Sequence, residues 1–378
     1  MVDTTPRGPL HDIRVIDLAT VVAGPGAARH LGDFGADVIK VERPDGRGDG
    51  TRSLGWRDPT DDVTLWWKLI GRNKRTIVLD LKEPEGRRDL LRLAATADVL
   101  IENFRPGTLE RLGLGPAELH AQNPKLVITR VTGFGQTGPY AQRPGFATLA
   151  EAMSGFAGLN GDPDGPPLLP PIALTDEVTA LVAAYATMVA LHSRRGQVVD
   201  VNLLESMLQL MGPLPAAAAR LGYDQPRLGS GIPYSVPRGT YRTKDGQWVA
   251  ISTSSEPVAR RVLDLVGLGA DEGLHTSAGR VAERARVDAA VVAFVAERTA
   301  GDVIQAFLDA DAAIAPVLAM TDIVDDPHVV DREILVERDG IKTQAPVARL
   351  SETPGSIRWL GRPLGADTHA VLAELPPE

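Results

Sequence analysis

Residues 13–42, IRVIDLATVVAGPGAARHLGDFGADVIKVE, hold the pattern that decides the fold. Ile13–Leu18 (IRVIDL) is a short apolar run rich in β-branched residues, as a buried strand requires. Gly24-Pro25-Gly26 reads as a turn, Ala27–Phe34 as a helix, and Val38–Glu42 (VIKVE) as a second apolar strand. Two short strands joined through a helix form a βαβ unit, whose strands run parallel. The alternation continues outward. Thr76–Leu81, Asp98–Glu102, Leu126–Val131 and Gln197–Val201 read as further strands, and Pro84–Thr96 as a helix with proline in its first turn. The expected fold class is α/β, with a mostly parallel sheet covered on both faces.

The chain has 378 residues, more than one ordinary core accommodates, so two domains are expected. Long helices are expected at about Phe146–Ala157 and Thr175–Ser193, with a Pro/Gly-rich stretch between them, and a shorter one at Leu203–Leu210. Pro213–Pro237 is rich in Pro and Gly and reads as a linker. A hairpin follows at Thr240–Ser252, then helices from about Glu256 to Asp311. The expected division is residues 1–212, a linker at 213–237, a small α+β domain at 238–320, and 321–378 as a closing segment.

A net charge of −9 argues against general nucleic-acid binding, which needs a broadly basic surface. There are no cysteines, so thiol catalysis, disulfides and cysteine-ligated metals are excluded. The opening MVDTTPRGPLHDIRV lacks a signal-peptide layout, and no unbroken run of 18 apolar residues exists. A cytoplasmic enzyme with no membrane partner is therefore expected. The seven histidines form no close ligand pair, and no metal site is assigned. Ser53, Ser154 and Ser206 lack the setting of a nucleophile elbow.

Three features carry possible chemistry. The Gly24-Pro25-Gly26 turn with Glu42 at the end of the next strand has the outline of a dinucleotide site. Arg29, however, stands where the third glycine belongs, and a tight turn without ligand is the alternative. Lys40, Arg43, Arg47, Arg52, Lys74, Arg75 and Arg105 cluster near strand ends, as a solvated rim or as partners for a phosphate-rich ligand. Asp176 opens an apolar helix. It is either a helix cap or an ionised carboxylate held by the helix dipole and able to act as a nucleophile.

Several segments in order, IRVIDLATVVAGPGAARHLGDFGADVIKVERPDGRGDGTR, NKRTIVLDLKEPEGR, ADVLIENFRPGTLERLGLG, VTGFGQTGPYAQRPGF, GQVVDVNLLES, YRTKDGQW and DDPHVVDRE, make the chain resemble the class III CoA-transferases, the family of formyl-CoA and carnitine CoA-transferases. The resemblance spans about residues 9–360. It implies a Rossmann-like CoA-binding large domain completed by the tail, a smaller domain, and an interlocked homodimer. It implies coenzyme A carried as an acyl-CoA substrate, a small carboxylic acid as the other substrate, and no metal. Asp176 becomes the catalytic carboxylate, forming aspartyl anhydride and aspartyl-CoA thioester intermediates. Within the matching segments, Lys40, Arg43, Asn73, Lys74, Arg75, Asn103, Phe104, Arg105, Gly135, Gln136 and Tyr140 are the expected CoA contacts. Gly229-Ser230-Gly231 falls where the family carries a glycine loop.

There are departures. Ala147 and Glu151 stand where the family often has Asp and Gln, and Val22 where formyl-CoA transferases have Gln. Oxalate and formate are therefore not expected, and a more apolar acceptor is. The related 2-methylacyl-CoA racemases pair their aspartate with a Gly-His-Asp histidine, but this chain has Gly145-Phe146-Ala147. A racemase is the first alternative function, and a NAD-dependent dehydrogenase built on the glycine turn is the second.

Overall fold

The computed structural model describes residues 8–375; the first seven positions of the opening segment and the last three residues lie outside the described residues. The chain divides into two compact units. One runs up to Gly155, takes in Pro170–Gly212 and resumes from Asp331; the other comprises Phe156–Leu169 and Pro213–Val330.

The first unit is built on six strands, β1 (Arg14–Asp17), β2 (Asp37–Glu42), β3 (Lys74–Val78), β4 (Val99–Glu102), β5 (Val127–Thr132) and β6 (Gln197–Asn202). They are ordered 3-2-1-4-5-6 and all pairs are parallel. Alternate residues of each strand point to opposite faces. Val15, Val38, Val99 and Val127 therefore meet the first helix, Ala23–Asp33, and the long helix, Leu174–His192. Ile16, Ile39, Leu100 and Ile128 meet Leu90 and Leu93 of the Pro84–Ala95 helix, and Val371 of the closing segment. Two buried faces explain why these strands are continuous apolar runs.

The first helix starts at Ala23, so Gly24-Pro25-Gly26 is its first turn and not a separate loop. Proline is tolerated there because those N–H groups have no helical acceptor. Gly26 lies against the long helix, where a Cβ would stand 2.8 Å from the Cβ of Ala180. Its task is close helix packing. The long helix has the length and composition of a membrane span, although Thr, Asp and Glu interrupt its apolar run. Ala180, Ala183, Ala184 and Thr187 bury one side of it in this core.

The closing segment lies along β3. Asp367 accepts from the Thr76 amide at 2.9 Å and donates its own amide to the Thr76 carbonyl at 2.9 Å. This covers an edge that would otherwise offer unpaired backbone groups. The segment joins the unit from Asp331, ten residues later than the sequence pattern suggests, and carries a short hairpin of Leu335–Arg338 and Ile341–Gln344.

The second unit has a three-stranded antiparallel sheet of β7 (Arg238–Arg242), β8 (Trp248–Ser252) and β9 (Ile314–Pro316). Val262, Val291, Val295, Val303 and Phe307, from the helices Glu256–Leu265, Arg284–Ala296 and Ala300–Asp309, pack with Val249 and Ile251 of the sheet. The expected linker is not bare. Leu214–Leu221 is a helix, because Ala216–Ala219 is a run of the strongest helix former, with prolines confined to its start and Gly222 at its end. Gly229-Ser230-Gly231 lines a cavity of about 670 Å³ in this unit, together with Arg238 and Thr240.

Candidate active site

In an open parallel sheet, ligands sit beyond the carboxyl ends of the strands where the strand order reverses. Here that point lies between β1 and β4. Asn103, just after β4, bridges it: its Oδ1 accepts from the Thr20 amide at 2.8 Å and its Nδ2 donates to the Thr20 carbonyl at 2.7 Å. Two cavities open at this edge, both lined by Thr20 and Phe104. The first, about 350 Å³, is lined by Arg43, Leu79, Lys82, Thr108 and Arg111 among others. The second, about 280 Å³, is lined by Val21, Val22, Ala23, Arg105, Arg143 and Asp176. The two adjoin at these shared residues, a basic, partly apolar recess beside one that holds a carboxylate.

Asp176 is the third residue of the long helix; Ala173 holds the cap position and makes no side-chain hydrogen bond. The capping reading is therefore set aside. The ionising reading also changes. Burial pushes the Asp176 carboxyl up to about 6, and the charges of Glu177 and Glu151 add to the rise. Glu151 is buried and accepts from the Thr175 hydroxyl at 2.8 Å. Glu177 is bound by buried Arg29 at 3.2 Å, which explains why an arginine, and not a glycine, occupies position 29. At neutral pH the carboxylate remains mostly ionised yet weakly solvated, the condition of a reactive nucleophile.

The expected CoA contacts separate into groups. Arg43, Asn103, Phe104 and Arg105 line this pair of cavities. Lys40 lines it too, but its ammonium is buried, 3.0 Å from Asp49 and 3.6 Å from Asp17. Against burial, Asp17, Asp49 and Glu42 hold that ammonium above its usual range. Lys74 is buried on Asp17 at 2.8 Å, and burial pushes it down to about 8. Asn73 donates to Asp33 and to the Ser356 carbonyl, both at 2.9 Å. Arg75 pairs with Asp37 at 2.7 Å and Glu374 at 2.6 Å, near the amino end of the sheet. Asn73, Lys74 and Arg75 are engaged by these partners and line neither cavity. Gly135, Gln136 and Tyr140 line neither cavity, and the Gln136 amide is held by Asp200 at 2.9 Å.

Lys82, Arg111 and Arg143 were missed. Lys82 follows β3, where the alternation of strands marked a carboxyl end; the other two had no local signal. Glu42 is taken up by Arg52 at 2.6 Å and the Asp49 amide at 2.8 Å, so it is not free to bind a ribose. Phe146, exposed on the cavity wall, supplies no proton-transfer group where a racemase has histidine.

The chain is similar to proteins whose activity is known. Succinyl-CoA–D-citramalate CoA-transferase of Chloroflexus aurantiacus is 38% identical, over 98% of this chain and 94% of that protein. Succinate–glutarate CoA-transferase of Agrobacterium fabrum is 35% identical, over 98% and 96%. A solved CAIB/BAIF family protein from Brucella suis superposes with a TM-score of 0.86 at 31% identity, covering 98% of this chain and all of that one. The model of CoA-transferase family III matches residues 10–368. With an ionisable carboxylate in a cavity that adjoins a basic one and this likeness along nearly its whole length, the chain belongs to CoA-transferase family III and is an enzyme that transfers CoA between an acyl-CoA and a carboxylic acid.

Proposed function

We propose that Asp176 carries the acyl group and then CoA itself in covalent linkage. The observation behind this is the pair of adjoining cavities, which share Thr20 and Phe104, with Arg43, Lys82 and Arg111 in one and Asp176 in the other. The nucleotide end of CoA takes the first cavity, its phosphates facing the cations. The pantetheine passes Phe104 and Thr20 and brings the thioester to Asp176.

Each step exchanges one acyl bond for another. An Asp176 oxygen attacks the thioester carbonyl, the C–S bond breaks, and CoA thiolate leaves a mixed anhydride. The thiolate attacks the Asp176 carbonyl carbon, releasing the donor acid and leaving an aspartyl-CoA thioester. The acceptor carboxylate attacks that carbon, expelling thiolate and forming a second anhydride. The thiolate then attacks the acceptor's acyl carbon, which frees the Asp176 carboxylate. The first helix begins at Ala23 on the cavity wall, so its opening N–H groups supply charge stabilisation for the tetrahedral oxyanions. Val21, just before it, has φ 70°, a strained conformation for a β-branched residue and the kind of cost that functional sites carry.

The named relatives act on succinyl-CoA, citramalate, succinate and glutarate, all dicarboxylic. We extend that class to this chain. We also propose a homodimer, interlocked as the family resemblance implies. Leu181, Tyr185 and Val189 supply a reason, forming an apolar stripe on the long helix with exposures of 47, 71 and 54%.

Incubation with succinyl-CoA followed by hydroxylamine tests the covalent scheme. The Asp176 peptide should carry the hydroxamate, seen by mass spectrometry. Turnover without any such label on that peptide defeats the scheme.

A further inference from the structure

Among the described residues, Asp176 is the only acid lining its cavity, and Arg105 and Arg143 are the only basic residues there. Arg105 follows Asn103 and Phe104, at the junction with the nucleotide cavity. Arg143 is on another wall, before Pro144 and Gly145. Its guanidinium carbon lies 3.9 Å from the centroid of the Tyr140 ring, and that ring packs edge-on against Phe134 at 6.0 Å. Its amide donates to the Tyr140 carbonyl at 2.8 Å. The segment is pinned from the other side, since a Cβ on Gly145 would come within 2.6 Å of the Gly133 Cα at the end of β5. Arg143 is exposed and forms no ion pair with any described carboxylate, so it is held by the Tyr140 ring and not by an acid. A guanidinium stacked on one face keeps its N–H edge free for a planar anion.

We propose that Arg143 is a specificity-determining residue that binds the far carboxylate of a dicarboxylic acyl group while its thioester carbonyl faces Asp176. This rests on the transferase reading. The chemistry requires such a cation. A dicarboxylic acyl group brings a negative charge into a recess whose nucleophile is itself negative, and like charges there repel. A planar guanidinium offsets that charge with two parallel hydrogen bonds and fixes the acyl chain in one orientation. A monocarboxylic acyl group of equal length has nothing to offer Arg143 and leaves it in water. This proposal runs opposite to the expectation of a more apolar acceptor drawn from Val22, Ala147 and Glu151.

The test compares kcat/KM for succinyl-CoA and butyryl-CoA, which differ in the far carboxylate. Wild type should prefer succinyl-CoA, and Arg143→Gln should reduce the succinyl-to-butyryl ratio about 10- to 100-fold. Arg143→Lys should recover part of the ratio, since charge remains and the fork is lost. Arg105→Gln should lower both substrates together, as loss of a CoA contact does. An Arg143→Gln enzyme with an unchanged ratio overturns the proposal, as does a larger change of ratio in Arg105→Gln. A wild type that transfers CoA from butyryl-CoA and not from succinyl-CoA overturns it while leaving the transferase intact. If neither thioester, nor any of a broad panel, is turned over, it is the transferase reading that fails.

Discussion

Replacing Asp176 by Asn should abolish turnover and, at neutral pH, make the protein more stable. The carboxyl holds its proton up to about pH 6 in the folded chain and only to 3.8 when unfolded. Between those values the folded state binds more protons, so stability falls as pH rises through the window, and above pH 6 the whole penalty is present. Two pKa units correspond to about 3 kcal/mol, an upper figure because the side chain is only half-buried and water screens part of the effect. Asparagine has the same shape and no charge to desolvate. The Asn variant should thus gain up to about 3 kcal/mol at pH 7.5, falling to about 1 kcal/mol at pH 4.5, where the native carboxyl is largely protonated. Urea unfolding of both proteins at equal concentration, at these two pH values, measures it. An Asn variant no more stable than wild type at pH 7.5, or a difference independent of pH, refutes the idea that burial beside Glu151 and Glu177 strains this carboxylate.

The same environment sets the pH profile. kcat/KM should fall on the acid side with an inflection near 6, and Glu151→Gln, by removing one of the charges that raise Asp176, should move that inflection to lower pH. Lys82→Ala and Arg111→Ala should weaken CoA binding in calorimetry, more so at low salt, with unchanged unfolding midpoints. Lys40→Ala should instead cost about 3–5 kcal/mol of stability, because it leaves Asp49 buried without its cation and Asp17 with Lys74 alone. Light scattering should find a dimer that persists on dilution until the chain unfolds; folded monomers in equilibrium with it would contradict the interlocked homodimer.

The alternation of strand and helix was legible from residues 13–42 onward, because a strand buried on both faces must be an unbroken apolar run. Leu203–Leu210 was placed to the residue, and most strand ends to within two. The start of the first helix was missed. Gly24-Pro25-Gly26 has the composition of a turn, and only its contact with Ala180, distant in sequence, makes it the first turn of a packed helix. Pro213–Pro237 failed for a related reason: a proline-rich average concealed the alanine run that makes Leu214–Leu221 helical.

For the site, the sequence by itself singled out the carboxylate proposed as nucleophile. Asp176 was placed by the order of the family's motifs around it, and Arg43, Asn103, Phe104 and Arg105 lie within the segments that carry the resemblance; all five line the two cavities. Which cations are free was decided only in three dimensions. Lys40, Lys74, Arg75 and Arg143 look alike in sequence, each a basic residue near a strand or a loop. The first three are held by Asp17, Asp37, Asp49 and Glu374, residues up to 299 positions away, while Arg143 rests on an aromatic ring and keeps its charge unmatched. Local pattern fixes the direction a strand or helix takes, because it depends on near neighbours. The availability of a charge depends on which distant acid the folded chain brings within a few ångströms, and no local pattern records that.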